Sequence, residues 1–144
     1  MKKLLLNTLL VFVLTSLNQF RASGQGVYLM CSAPSTVNDS TGTLYDSGGL
    51  SNDYLVDEDC TLLVAPSCAT SITLSFQSFS TESGFDYFYV YDGTTTADPQ
   101  ILLANGNTVP GPVTAVSGSM LIIFHSDFTI VSSGWACTWA SVIA

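Results

Sequence analysis

Carboxylates dominate the chemistry this sequence could perform. Eleven Asp and Glu residues stand against three basic residues, Lys2, Lys3 and Arg21, and one histidine, His125. From residue 25 onward there is no Lys or Arg, so that stretch carries a side-chain charge of −11 with His125 neutral. Nucleic acid and anionic lipid are poor partners for such a surface, because binding either rests on cationic side chains. A cation or a basic protein surface is favoured instead. Acids also keep a protein soluble without any further role, so position has to separate the functional ones.

Catalysis would need a nucleophile, a base and an orienting acid, and the one histidine places that search at His125-Ser126-Asp127. Neighbours on a strand point to opposite faces, which keeps His125 and Ser126 from forming the hydrogen-bonded pair a serine mechanism requires. The chain therefore reads as a binding protein and not an enzyme. Cys31, Cys60, Cys68 and Cys137 are 29, 8 and 69 residues apart, with no C-x-x-C pair, which argues against a zinc site. An even count behind a secretory leader reads as two disulfides, with three connectivities open. Asn38-Asp39-Ser40 is an acceptor for N-glycosylation in a eukaryotic secretory pathway.

That leader is the first element to place. Lys2 and Lys3 precede an apolar run from Leu4 to Leu17, and Ala22, Ser23 and Gly24 supply small residues for cleavage. The run is too short to span a bilayer, so residues 1–24 are predicted to be a signal peptide, cut after Gly24 with Ala22 as the alternative. The protein is then secreted and extracellular, with no membrane insertion after cleavage, and residues 25–144 form one domain.

Within that domain no stretch carries helical periodicity, whereas β-branched and aromatic runs recur between clusters of Gly, Ser, Asn, Asp and Pro. Strands are predicted at Thr61 to Ala65, Ile72 to Phe76, Tyr87 to Tyr91, Ile101 to Ala104, Val113 to Val116, Met120 to His125 and Trp135 to Val142. Strands at this spacing make an all-β fold, a sandwich of two antiparallel sheets. In Asp86 to Asp92, Phe88 and Val90 share one face and Tyr87, Tyr89 and Tyr91 the other, and the pattern leaves open which is inner. Leu121 to Phe124 is apolar on both faces, which predicts a central, fully covered strand.

The order of motifs resembles a CUB domain over nearly all of residues 25–144. It is carried by Cys31, then Ser47-Gly48-Gly49 with Tyr54 and Cys60, then Ile72 to Phe79, then Glu82, the Asp86-Tyr-Phe-Tyr-Val-Tyr-Asp-Gly93 strand, Phe124-His-Ser-Asp-Phe128 and Gly134-Trp135. The resemblance implies a jelly-roll sandwich that serves as an extracellular recognition module for proteins, sometimes for glycans. It also implies a Ca²⁺ site formed by Glu82, Asp86 and Asp127 and braced by Tyr54. In the family such acids also accept a lysine from the partner, so an extracellular, Lys-presenting protein is the expected partner. A carbohydrate held by outward tyrosines is the alternative. The Cys31–Cys60 bridge is the family's usual first one. The short Glu82 to Asp86 loop has no cysteine for the family's usual second bridge, so Cys68–Cys137 is expected, tying a turn to the last strand.

Overall fold

The computed structural model describes residues 25–144; the leader predicted over 1–24 lies outside the described residues. Ten strands follow in order: β1 Gly26–Leu29, β2 Thr36–Val37, β3 Thr41–Tyr45, β4 Asp59–Val64, β5 Ala69–Ser80, β6 Tyr87–Asp92, β7 Gln100–Ala104, β8 Val113–Ala115, β9 Met120–His125 and β10 Gly134–Ile143. They form two five-stranded sheets, ordered β1-β3-β10-β5-β8 and β2-β4-β9-β6-β7. All pairings are antiparallel except β1 with β3 and β2 with β4. The seven predicted strands are all present, and β1, β2 and β3 are additions.

Alternation fills the space between the sheets. Leu62, Val64, Phe88, Val90, Ile122 and Phe124 of one sheet and Leu44, Ile72, Leu74, Trp135, Cys137 and Trp139 of the other are buried in one core. The open question of β6 is thereby answered: Phe88 and Val90 face inward, and the three tyrosines lie on the outer face. β9 is central, as predicted, but its outer face is only partly covered. Leu121 is buried between Tyr91 and Leu63 in register, while Ile123 beside Tyr89 is half-exposed.

Two backbone features shape the packing of this core. The pairing of β10 with β5 slips between Ala136 and Cys137, where Ser78 and then Phe76 are the partners and Gln77 is skipped. This bulge flips the alternation, so that Phe79 points inward after Ile72 and Leu74. In β3, Gly42 pairs with Trp139, and a Cβ at Gly42 would sit 2.1 Å from the Trp139 ring. Only glycine admits that indole.

Cys31 and Cys60 form a disulfide that ties the end of β1, in one sheet, to β4, in the other. Closing a loop of this length stabilises by roughly 3.5 kcal/mol in the chain-entropy account. The expected Cys68–Cys137 bond is not formed; both thiols are free. The register explains why. Ala69 pairs with Ile143, and the Ala144 N–H donates to the Cys68 carbonyl at 2.9 Å, so Cys68 lies level with the end of β10. Cys137 is seven residues back along that strand, about 23 Å at strand rise, where a disulfide needs roughly 7 Å or less between Cα atoms. It is also turned into the core, between Leu44 and Phe76 in register.

These positions predict a thiol-labelling pattern. Cys68 is exposed and reacts promptly in the native protein, whereas burial hides Cys137 and pushes its pKa up, holding it as the unreactive thiol. An alkylating reagent followed by mass spectrometry should add one label to the native chain and two to the unfolded, unreduced chain. No label in either state would restore the Cys68–Cys137 bond.

Candidate metal centre

Three loops meet at one end of the sandwich: residues 46–58 between β3 and β4, 81–86 between β5 and β6, and 126–133 between β9 and β10. Their junction is Asp86, a carboxylate with no exposed surface placed immediately before β6. Its Oδ2 accepts the Tyr54 hydroxyl, and its Oδ1 accepts the Asp127 N–H at 2.8 Å. Tyr54 is itself buried, and its hydroxyl oxygen accepts the Glu82 N–H at 3.0 Å. Burial, together with the hydrogen bond to Asp86, pushes the Tyr54 pKa far up, so it stays a donor.

The 81–86 loop is closed locally. Asp86 N–H donates to the Glu82 carbonyl at 3.2 Å, the Thr81 hydroxyl to the Asp86 carbonyl at 3.1 Å, and Gly84 takes φ of +85°. The turn therefore holds Glu82 and Asp86 side by side. From the third loop comes Asp127, whose Oδ1 accepts the Thr129 N–H and hydroxyl, both at 2.8 Å.

Ligand oxygens of Glu82, Asp86 and Asp127 all lie within 4.8 Å of one another, so the structure brings together the three acids singled out in the sequence. No Lys or Arg occurs among the described residues to balance them. Desolvation raises the Glu82 pKa, the charges of Asp127 and Asp86 raise it further, and hydrogen bonds from Thr129 and the Ile130 N–H pull it back. Glu82 Oε2 is buried with no hydrogen-bond partner. An all-oxygen set with one orphaned atom suits a hard cation, and not zinc, which draws on His and Cys.

Two further acids were not singled out in the sequence. Asp46 is buried; its Oδ1 accepts the Gly48 N–H at 2.8 Å and its Oδ2 the Trp135 N–H at 2.7 Å. The Asp-Ser-Gly-Gly run signals such a turn, but not the reach to Trp135. Glu58 is buried beside Asp46, and its backbone N–H donates to Ser126 Oγ at 3.0 Å. Ser126 in turn donates to the Leu55 carbonyl at 2.7 Å, so its hydroxyl is committed to the loops. His125 points away, with Nδ1 2.6 Å from Asp59 Oδ1 on the outer face. No Ser126–His125 pair forms. Asn38 is exposed just after β2.

Glu58 supplies a pH prediction independent of any metal. Desolvation raises its pKa, only partly offset by the Ser47 hydrogen bond. A carboxylate raised in the folded state favours its neutral form there, so its contribution is present below the ordinary value near 4.5 and lost as pH rises through the raised one. Glu58→Gln should therefore be more stable than the native protein at about pH 7, with the difference gone near about pH 4. Thermal melts of both across that range check this; a variant less stable at every pH would show that the carboxylate is held in its charged form.

The family model described as CUB domain matches residues 31–139. The chain is similar to human multiple epidermal growth factor-like domains protein 8, 36% identical over 92 residues, covering 63% of this chain and 3% of that protein. It is similar to human cubilin, 28% identical over 120 residues, covering 81% of this chain and 3% of that one. The chain thus spans only a small part of these curated relatives. Among solved structures it resembles the MASP-1 CUB2 domain bound to Ca²⁺, with TM-score 0.62 and 22% identity, covering 75% of this chain and 98% of that one.

Proposed function

The chain belongs to the CUB domain family, and from that premise we propose that it is a secreted, calcium-dependent recognition module that receives a lysine of an extracellular protein at Glu82, Asp86 and Asp127. The observation that carries the reading is the meeting of three carboxylates, one oxygen orphaned, among described residues that hold no Lys or Arg. Two oxygens on opposite sides of a Ca²⁺ ion, each at about 2.4 Å, lie about 4.8 Å apart. The three oxygens lie within that limit of one another, which is compatible with a shared ion. Ca²⁺ would offset two of the three negative charges and hold the three loops at a fixed spacing.

Three carboxylates and one Ca²⁺ leave a net charge of −1 at the site. Asp86 is buried, while Glu82 and Asp127 are partly open to solvent. These two are the carboxylates an ammonium from a partner would approach, and a charge-assisted hydrogen bond there is roughly twice as strong as a neutral one. Secretion follows from the predicted leader at residues 1–24 and agrees with the extracellular setting of CUB domains. Binding, not catalysis, suits a site whose only adjacent serine and histidine do not pair.

Calorimetric titration tests the metal. The native protein should bind one Ca²⁺ and gain about 2.7 kcal/mol of stability at a hundredfold excess over Kd, and Glu82→Ala should lose both effects. Indifference of heat and melting temperature to Ca²⁺ would sink the metal and the lysine together. Calcium-dependent capture of a lysine-rich protein, lost in Asp127→Ala, checks the second step.

A second reading rests on the outer face of β6. Tyr87 and Tyr89 lie there with ring centroids 6.0 Å apart, beside Tyr91 and half-exposed Ile123, a surface on which a sugar ring could stack. Glycan-array binding that survives EGTA and is lost in Tyr89→Ala would favour it; an array without hits would remove it.

A further inference from the structure

The loops that assemble the acids also carry the wrong kind of side chain for a simple ion site. Leu55 is 64% exposed, Val56 41%, Phe85 55%, Phe128 76% and Ile130 62%. Scattered apolar residues are ordinary on a protein surface, but these five sit on the three loops that meet at one carboxylate cluster. Phe85 precedes Asp86, and Phe128 follows Asp127. Ile130 follows Thr129, whose N–H and hydroxyl both donate to Asp127 Oδ1, the Leu55 carbonyl accepts the Ser126 hydroxyl, and Val56 precedes Asp57, whose N–H donates to the Asp127 carbonyl at 2.8 Å.

Those backbone bonds fix the loops, so the apolar side chains are held outward as a collar around an acidic centre. We infer that the occupant of this end is a protein loop that presents one lysine between apolar side chains. The ammonium meets Glu82 and Asp127, while its apolar neighbours cover Phe85, Phe128 and Leu55. The inference rests on the calcium-and-lysine reading above and adds to it what must stand beside the lysine.

Charge complementarity selects this occupant. A second copy has no Lys or Arg among the described residues to offer the centre. An anionic membrane meets a chain whose residues 25–144 carry −11, leaving only a bridging Ca²⁺ to hold it. A basic protein loop satisfies centre and collar at once, and apolar contacts encircling a charged pair keep water from it.

The test uses three blocked pentapeptides, titrated into the purified protein in excess Ca²⁺ and followed by NMR. One has lysine between phenylalanine and leucine, one has lysine between serines, and one has glutamine between phenylalanine and leucine. The inference expects the first to bind about tenfold more tightly than either other, and Phe85→Ser with Phe128→Ser to erase that advantage while Ca²⁺ still binds. Equal affinity for the two lysine peptides would overturn the collar and leave the calcium-and-lysine reading standing. Binding of neither lysine peptide while Ca²⁺ still binds would overturn both. Calcium-dependent binding to phosphatidylserine vesicles that is lost in Phe128→Ser, with no preference among the peptides, would overturn the protein occupant in favour of a membrane.

Discussion

Burial of the Asp86 carboxylate is the constraint on which the functional end depends. A carboxylate cut off from water is costly unless each oxygen is satisfied, and here the partners come from two other loops. Tyr54 brings the β3–β4 loop and the Asp127 N–H brings the β9–β10 loop. Neither partner can leave without exposing an uncompensated charge. The interaction therefore does for three irregular segments what a sheet ladder does for strands: it gives them one relative position.

The core transmits that position. The Tyr54 ring packs edge-on against Phe124 at 5.1 Å between centroids, Phe124 against Trp135 at 5.5 Å, and Trp135 against Phe88 at 4.6 Å. Edge-to-face pairs of this kind contribute about 0.5–1.5 kcal/mol each beyond their buried area. Phe88 lies two residues from Asp86 and Phe124 three from Asp127. The same strands that supply the hydrophobic centre thus end at the carboxylates, so a change in the packing of Trp135 reaches them through two contacts.

How much of this was legible in the sequence depended on how local the signal was. The long strands declared themselves by alternation, and the acids declared themselves through the order of the motifs around them. β1, β2 and β3 did not, because Gly26–Leu29 and Thr36–Val37 are short, Thr41–Tyr45 is interrupted by Gly42, and all three pair in parallel, β1 with β3 and β2 with β4. The direction of the β6 tyrosines needed the other sheet to decide it. The bulge at Gln77 leaves no composition signal, yet it sets the phase of Phe79 and the approach to Glu82. The second disulfide failed for a similar reason: an even cysteine count says nothing of register, and seven residues of β10 separate Cys137 from the level of Cys68.

Position separates the acids that brace single turns and strands from the three that gather at one end. Asp46 is as thoroughly buried as Asp86, but both of its oxygens accept backbone N–H groups, from Gly48 and Trp135. A Cβ at Gly134, whose φ is +79°, would lie 1.9 Å from Asp46 Oδ2, so that position is reserved for glycine by the contact itself. Asp46 is thus a clasp between β3 and β10, set apart from the Glu82, Asp86 and Asp127 cluster. Asp98 likewise spends Oδ2 on the N–H groups of Thr94 and Thr95, and Asp92 spends Oδ1 on that of Ser117. Glu58 keeps an orphaned Oε2, but no three carboxylates gather around it; among the described residues only Glu82, Asp86 and Asp127 do so. Glu82 and Asp127 differ in being only partly buried and in standing beside a third carboxylate. Among the described residues no Lys or Arg stands beside that surplus of acceptors.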